Sequence, residues 1–480
     1  MAYEPVIGLE VHCQLATASK LFCGCATKFG AAPNHQVCPI CLGMPGVLPV
    51  LNRTAVDLAV KMALAIGGSV QQVSVFSRKQ YFYPDLPKGY QITQYDRPYC
   101  LGGGVTLSSG QRIRMTRIHL EEDAGKNIHA EHASLVDCNR AGTPLMEIVS
   151  EPELKSAADA AEYLRRLRAI VRCIGASDGN LEEGSFRCDA NVSIRRPGAT
   201  VLGTRCEIKN LNSFRNVERA ITYEILRQAE VLDGGGTITQ ETLLFDANSG
   251  RTQPMRSKED SHDYRYLPDP DLPALVISTD RIEGIRASLP ELPDAAKSRL
   301  VQACGLADAN AELIAQDQGT TKFFDLTCEA VGASYPAPAV ANWLIAEYLP
   351  VAEERQWNLA ESPIPPQRVA ALLQLIAAGT ISGKIAKTVF DVMLGSDEAP
   401  TSIVQRLGLV QISDEGAITE LVERILMHNP GQLAQYLGGK DKLFGFFIGQ
   451  IMQASQGKMN PELVNKILHA RLAERRGRLD

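Results

Sequence analysis

Residues 6–15 read VIGLEVHCQL. In an extended strand Glu10 and His12 project from one face while Ile7, Leu9 and Val11 fill the other, because side chains alternate with a period of two. A carboxylate and an imidazole so placed are either a structural pair or part of a site, and their company decides. Residues 120–126, LEEDAGK, set Glu121, Glu122 and Asp123 beside a glycine and Lys126. Glu147 and Glu151 lie within TPLMEIVSEP (143–152), Glu147 between Met146 and Ile148. A carboxylate among apolar neighbours faces solvent or is buried at a cost that only a partner or a metal offsets. Several carboxylates on neighbouring strands make a hard-cation site, suited to Mg2+ bridging nucleotide phosphates. A solvated acidic face is the alternative.

A second cluster is built from sulfur. Five of the 12 cysteines fall in the first 41 residues: Cys13, Cys23, Cys25, Cys38 and Cys41. Cys23-x-Cys25 followed by Cys38-x-x-Cys41 is a four-thiolate spacing, in which the CxxC turn sets two sulfurs on one side and the first pair closes a tetrahedron around a soft ion such as Zn2+. Four cysteines saturate such an ion and leave no open position for substrate, so the zinc would be structural. Four unliganded thiols are the alternative; a redox CxxC lacks a thioredoxin-like context.

Two loops mix cations with aromatics. SRKQYFYPDLPKGYQ (77–91) holds Arg78, Lys79 and Lys88 among Tyr81, Phe82, Tyr83 and Tyr90. MRSKEDSHDYRY (255–266) repeats the mixture with Arg256, Lys258, Tyr264, Arg265 and Tyr266. Arginine and lysine match phosphate charge, and tyrosine offers a face to a base or sugar. The chain has no GxxxxGK[ST], GxGxxG or GxSxG. Phosphate binding here would therefore use side chains and metal, not a glycine-rich turn.

The elements that position these residues follow from periodicity. Strands are predicted at 70–78, 111–120, 187–195 and 205–209. In the second, Ile113, Met115 and Arg117 fall on one face and Arg112, Arg114 and Thr116 on the other, an imperfect sorting. Helices are predicted at 53–66, capped by Asn52 and stopped by Gly67, and at 157–174, where Ser156 and Asp159 form a box-like cap and Gly175 ends the run. A third runs over 213–232. On the second helix Arg165, Arg166, Arg168 and Arg172 face away from the apolar stripe, either solvated or in contact with nucleic acid. Proline-rich punctuation at 267–273 and 289–293 marks a boundary. Beyond it the pattern is helical at 337–356 and 366–379, and then at 420–427, 442–454 and 461–475, separated by Asn429-Pro430-Gly431 and Asn460-Pro461 turns.

Composition narrows the class. Hydrophobic residues at 45% and charged residues at 22% of 480 exclude a disordered chain. The net charge of −6 supplies no global cationic field, so nucleic-acid binding would rely on local patches. The start shows no basic region followed by an apolar one, and the long uncharged run 29–52 is broken by four prolines. A cytoplasmic protein without membrane association is expected.

These segments together resemble the family of B subunits of the bacterial and organellar aspartyl/glutamyl-tRNA amidotransferases. The resemblance rests on VIGLEVHCQL, RKQYFYPDLPKGYQITQYD (78–96), HLEEDAGK, DCNRAGTPLMEIVSEPE (137–153), EEGSFRCDANVSIR (182–195), EIKNLNSF (207–214), DYRYLPDPDLP (263–273) and GKDKLFGFFIGQIMQASQGKMNPELVNKIL (439–468). It implies an α+β fold: a catalytic cradle domain similar to glutamine synthetase over 1–292, an all-α helical domain over 293–400 and a small helical tail domain over 401–480 that binds tRNA. It implies ATP- and Mg2+-dependent phosphorylation of the side-chain carboxylate of Asp-tRNA(Asn) or Glu-tRNA(Gln). Ammonia from a separate amidase (glutaminase) chain, the A subunit, then displaces phosphate, and a small C subunit completes a heterotrimer.

Carried over by position, the family's catalytic and Mg2+ residues fall on His12, Glu122 and Glu147, with Glu10 and Glu121 adjacent. His12 would act through water, since Mg2+ favours oxygen ligands. Zinc ligands fall on Cys23, Cys25, Cys38 and Cys41. Lys79, Tyr81, Lys88 and Arg265 are expected to bind the nucleotide. The tail from 458 to 480 carries six Lys/Arg and three acids, a local excess suited to phosphate contact. The related archaeal E subunit has an inserted synthetase-like domain, for which the helical region following 293 leaves no room. A noncatalytic zinc-containing RNA-binding protein is the competing class, and the carboxylate cluster is superfluous to it.

Overall fold

The computed structural model describes residues 3–130, 133–255, 264–355, 357–410, 414–455 and 458–476. The chain divides into two compact units, Met1–Pro293 and Asp294–Asp480. The first is mixed α/β and the second helical.

The first unit is organised by a ten-stranded sheet. Its long strands are β1 (Glu4–Gln14), β4 (Arg112–Glu122), β5 (Pro144–Ser150) and β6 (Phe186–Arg195), and a three-stranded sheet beside it contains β2 (Ser77–Gln80) and β3 (Tyr90–Thr93). Strands β7 (Cys206–Lys209), β8 (Thr242–Asp246) and β9 (Arg251–Pro254) extend the large sheet on the β6 side. Across its centre the order is β6-β1-β5-β4, all antiparallel; only the β7–β8 pair on that side is parallel. The expected strand over 70–78 is instead three pieces, Ser69–Val70, Val73–Ser74 and β2, each paired with a different partner. Phe76 and Ser77 are adjacent and both buried, so this run does not keep one alternating buried face to lay on one sheet.

Helices α1 (Arg53–Ala65), α2 (Ala157–Cys173) and α3 (Phe214–Asp233) share one core with the apolar face of the sheet. Each starts on a side-chain cap: Asn52 accepts from the amides of Thr54 and Ala55, Ser156 from Asp159, and Ser213 from Asn216. Gly67 and Gly175, at φ 69° and 67°, occupy the left-handed conformation just past α1 and α2. Of the α2 arginines, Arg166 pairs with Glu162 at 2.7 Å and Arg168 donates to the Gly179 carbonyl at 2.6 Å, while Arg165 and Arg172 are exposed. Half of that cationic face is thus used inside the protein.

Strand β4 departs from simple alternation. Its pairing with β5 slips between Val149 and Ser150: Arg117 faces Val149, but the next partner, Ser150, faces Met115. The extra residue is a β-bulge, and it inverts the faces on either side. Ile113 and Met115 before it, and Ile118 and Leu120 after it, all enter the core. Arg117 is released to the opposite face, with His119 and Glu121. Plain alternation had placed Arg117 with Ile113 and Met115.

In the second unit residues 296–404 form one hydrophobic core and 418–472 another. The 337–356 pattern is a helix interrupted by a π turn at Leu344–Tyr348. Pro430 does not merely break the chain: it opens a further helix, Pro430–Leu437, where its missing N–H costs nothing. Phe447 is buried in the tail core, with Phe444 and Phe446 partly buried against it.

Candidate functional site

The polar face of the sheet is the floor of a cleft of about 1080 Å3. Antiparallel register builds its central row: Arg187 of β6 faces His12 of β1, His12 faces Glu147 of β5, and Glu147 faces His119 of β4. Glu121, two residues beyond His119, lies on the same face. His12 Nε2 lies 3.6 Å from Glu147 and 3.8 Å from Glu121; His119 Nε2 lies 3.1 Å and 3.7 Å from the same two carboxylates. One ligand atom each from His12, Glu121 and Glu147 falls within 4.8 Å of the others, a spacing that fits a single divalent cation.

Electrostatics ties these groups together. Burial pushes the Glu147 carboxyl up, but His119 and His12 outweigh it and hold it well below the carboxylate range. Burial pushes the His119 imidazole down, yet Glu147 and Glu121 raise it to about 9. Burial, then the charge of Glu147, raises the Glu10 carboxyl, which accepts a hydrogen bond from Asn191 at 2.9 Å. Asp123 is held low against burial by Arg187 and Arg140 and also accepts from Gln14 at 2.7 Å.

Of the expected set His12, Glu121, Glu122 and Glu147, the structure gathers His12, Glu121 and Glu147, and Glu122 lies apart from them. Adjacent strand residues point to opposite faces, and Glu122 follows Ile118 and Leu120 to the other side. There its carboxylate accepts from Lys88 and from the Ile92 amide. Lys88 is correspondingly absent from the cleft; it borders a small separate pocket with Lys20, Cys23, Cys41 and Glu122. Lys79 does line the cleft, its ammonium 4.7 Å from the Tyr264 ring and 5.8 Å from that of Tyr81. Arg265 is exposed, with φ 43°, and is not among the cleft-lining residues. Tyr95 and Tyr266 stack at 3.9 Å beside the cleft floor. In the loop 255–266, residues 256–263, including Arg256 and Lys258, lie outside the described residues.

Sequence reasoning missed His119, Arg117, Arg205 and Lys209, all of which line the cleft. A signal for His119 was present: His119-x-Glu121 repeats the Glu10-x-His12 spacing around an apolar Leu120. Lys209 is held between Asp189 at 2.7 Å and Glu207 at 2.8 Å.

The second cluster is assembled by loops. One sulfur each from Cys23, Cys25, Cys38 and Cys41 falls within 4.8 Å of the others, and none is in a disulfide. Cys38–Cys41 is a knuckle: the Leu42 amide donates to the Cys38 carbonyl and the Cys38 amide to the Cys41 sulfur at 3.2 Å. Lys20, fully buried, donates to the Cys41 sulfur at 3.5 Å and to the Gln36 and Cys138 carbonyls. The hydrogen bond from Cys23 lowers the Cys41 thiol pKa against the cost of burial, and the Cys38 amide and Lys20 lower it further. The bond to Cys41, then burial, raises the Cys23 thiol, and burial raises that of Cys25, so the thiolate is favoured at Cys41; four sulfurs at this spacing suit a soft ion such as zinc.

Among the described residues no helix is long and apolar enough to cross a membrane. In the tail, Arg471 and Arg475 pair with Glu423 and Arg476 with Asp441, so half of the six expected phosphate-binding cations are already engaged.

A family model described as the GatB/GatE catalytic domain matches residues 5–283, and another described as the GatB domain matches 322–472. The chain is similar to the B subunit of the aspartyl/glutamyl-tRNA(Asn/Gln) amidotransferase of Geobacter sulfurreducens, 55% identical over 480 residues and covering 98% of this chain and 100% of that protein. It is 54% identical to the counterpart of Geotalea daltonii, with the same coverage. It is 52% identical to that of Anaeromyxobacter sp. strain Fw109-5, covering 98% of this chain and 99% of that one.

Proposed function

Because this chain belongs to the GatB/GatE family, with B subunits of the aspartyl/glutamyl-tRNA(Asn/Gln) amidotransferases among its relatives, we propose that it is the ATP-dependent activating subunit of such an enzyme. Its substrates are Asp-tRNA(Asn), Glu-tRNA(Gln) or both. Its first unit is read as the glutamine-synthetase-like cradle. Its partners are the amidase, or A, chain that is the ammonia source, and the small C chain of the heterotrimer.

The chemistry explains why a carboxylate floor and unpaired cations are needed together. Ammonia cannot displace oxide from a carboxylate. A side-chain carboxylate oxygen therefore attacks the γ-phosphorus of ATP, forming an O–P bond as the bond to ADP breaks. Ammonia then attacks the acyl carbon, a C–N bond forms, the C–O bond to phosphate breaks, and a proton leaves the nitrogen. His12, Glu121 and Glu147 would hold Mg2+, which when bound supplies positive charge to phosphate oxygens. Glu10 stands one strand position beyond His12 as a reserve carboxylate for substrate or cation. Lys79, set against Tyr264 and Tyr81, offers a fixed cation to the transferring phosphoryl group. Cys23, Cys25, Cys38 and Cys41 would hold a structural zinc, and the tail core would carry tRNA affinity. The observation that carries this reading is the convergence of His12, Glu121, Glu147 and His119 from three strands onto one cleft floor.

The experiment is ATP turnover by the assembled complex supplied with mischarged tRNA. Turnover that requires mischarged tRNA and Mg2+, and that collapses in Glu147→Gln, is expected. ATP turnover undiminished in Glu147→Gln would overturn the assignment, and absence of any tRNA-dependent turnover would favour the noncatalytic zinc-containing RNA-binding class.

A further inference from the structure

We infer that Arg117 is the deep oxyanion receptor of the cleft, a fork that takes two anionic oxygens of the molecule activated on the carboxylate floor. The inference rests on the activating-subunit reading and deepens it.

Three independent observations converge on this residue. The first is placement. The bulge opposite Val149–Ser150 breaks the alternation of β4 and turns Arg117 out of the core onto the face that carries His119 and Glu121. Bulges are a device for re-aiming a side chain next to a site. Without the extra residue, one of the two apolar sets, Ile113 and Met115 or Ile118 and Leu120, would have to leave the core. The second is an unmet bond. Arg117 Nε is closed off from solvent and has no hydrogen-bond partner among the described residues. A buried N–H left unsatisfied costs stability, and a native fold that keeps one calls for a reason. The third is charge. Glu10, Glu121, Glu147, Asp189, Glu207 and Glu241 all line the cleft, yet none of them forms an ion pair with Arg117. Those acids are engaged by His12, His119, Lys209, Arg227 and the Asn191 amide. Among the described residues the guanidinium therefore stands uncommitted in an acid-rich cleft.

A guanidinium is planar, permanently charged and matched to two oxygens of a phosphate or a carboxylate. In register, Arg117 is the third strand position along from Glu10, through Val149. It thus stands at the β4 edge of the floor, one residue pair from His119 and two from Glu121. An oxyanion received there would lie against the carboxylate–histidine cluster, while Lys79 lines the same cleft from the β2 side. Two sources of such an oxyanion exist in the proposed reaction: the phosphates of ATP and the side-chain carboxylate of the aminoacyl group.

The test uses the assembled complex with Arg117→Ala and Arg117→Lys. Apparent KM for ATP and for mischarged tRNA are measured separately, with thermal melting as the folding control. Arg117→Ala is expected to raise one of the two KM values about tenfold or more, the loss of a charge-assisted bond. A rise for ATP identifies phosphate as the occupant, and a rise for mischarged tRNA identifies the carboxylate. Arg117→Lys keeps the charge but not the fork and should recover only part of the loss. Added guanidinium ion should rescue Arg117→Ala, which a merely structural role would not allow. Unchanged KM values, or a loss that tracks a fallen Tm and resists rescue, would overturn the inference. A wild-type complex that consumes no ATP would instead overturn the activating-subunit reading itself.

Discussion

Glu121 and Glu122 are neighbours in sequence and belong to different machinery, so exchanging each for glutamine separates the two roles. Glu121 lies in the cleft, with His12 Nε2 at 3.8 Å, His119 Nε2 at 3.7 Å and the Thr93 hydroxyl at 3.3 Å. Glu121→Gln removes one of the three groups that would hold the cation. Activity should fall at least as far as for changes just outside a metal's ligands, about 10–100-fold. Stability should fall less than for Glu122→Gln, because the amide fills the same buried space and Glu147 still faces both imidazoles. Glu122 is 3% exposed, and its side chain faces the Lys88 ammonium, which is itself nine-tenths buried. Glu122→Gln leaves that ammonium without a counter-charge. Removing one partner of a buried pair costs about 3–5 kcal/mol, and the retained amide oxygen, still within reach of the Ile92 amide, places this case near 3 kcal/mol. At about 2 °C per kcal/mol for a unit of this size, the melting temperature should drop by about 6 °C. The assay pairs tRNA-dependent ATP turnover at a saturating Mg2+ concentration and a low temperature with differential scanning calorimetry. Turnover lost in Glu122→Gln at an unchanged melting temperature, with Glu121→Gln near wild type, would refute the face assignment and restore Glu122 to the cation site.

Other perturbations reach other parts of the molecule. Cys38→Ser or Cys41→Ser should abolish zinc retention, read as loss of one metal equivalent per chain by elemental analysis of protein purified without chelator. Glu224, fully buried on α3, is bonded to Arg227, Gln228 and Thr252; Glu224→Ala should therefore cost about 3–5 kcal/mol, measurable by urea unfolding, with little change in KM for ATP. A chain ending near residue 410 retains the helix Pro400–Leu407, whose Ile403 and Val404 belong to the 296–404 core. It should bind ATP normally and mischarged tRNA more weakly, with a shallower salt dependence in a filter-binding titration. Equal tRNA affinity at moderate salt would count against the tail assignment.

Much of the architecture was legible locally. Asn52, Ser156 and Ser213 announce helix starts because a side-chain oxygen three or fewer residues upstream satisfies an orphan amide, an interaction confined to one turn. The two cysteine pairs were legible because knuckle spacing is itself local, and their sulfurs do gather within 4.8 Å. Lys88, expected at the nucleotide, stands against buried Glu122 and outside the cleft lining, since a cation near aromatics looks alike in either setting. Arg265 was likewise read from its company, yet stands exposed outside the cleft lining. The tail arginines were counted as free charge although Glu423 and Asp441, one of them before the counted stretch by more than thirty residues, already engage three of them.

By itself, then, the sequence determined which residue types exist to do chemistry and which segments become strands and helices, since periodicity and caps act over a few residues. It could not say which strand lies beside which. His12, Glu147 and His119 come from points spread over more than one hundred residues and meet only because antiparallel register aligns β1, β5 and β4. Nor could alternation say that Arg117 faces the cleft: the bulge that turns it there is a mismatch between two paired strands, and a mismatch exists only once both are in place. The same pairing put Glu121 on the floor and Glu122 behind it. Face and register are properties of the sheet, and the choice between adjacent glutamates belonged to the tertiary structure.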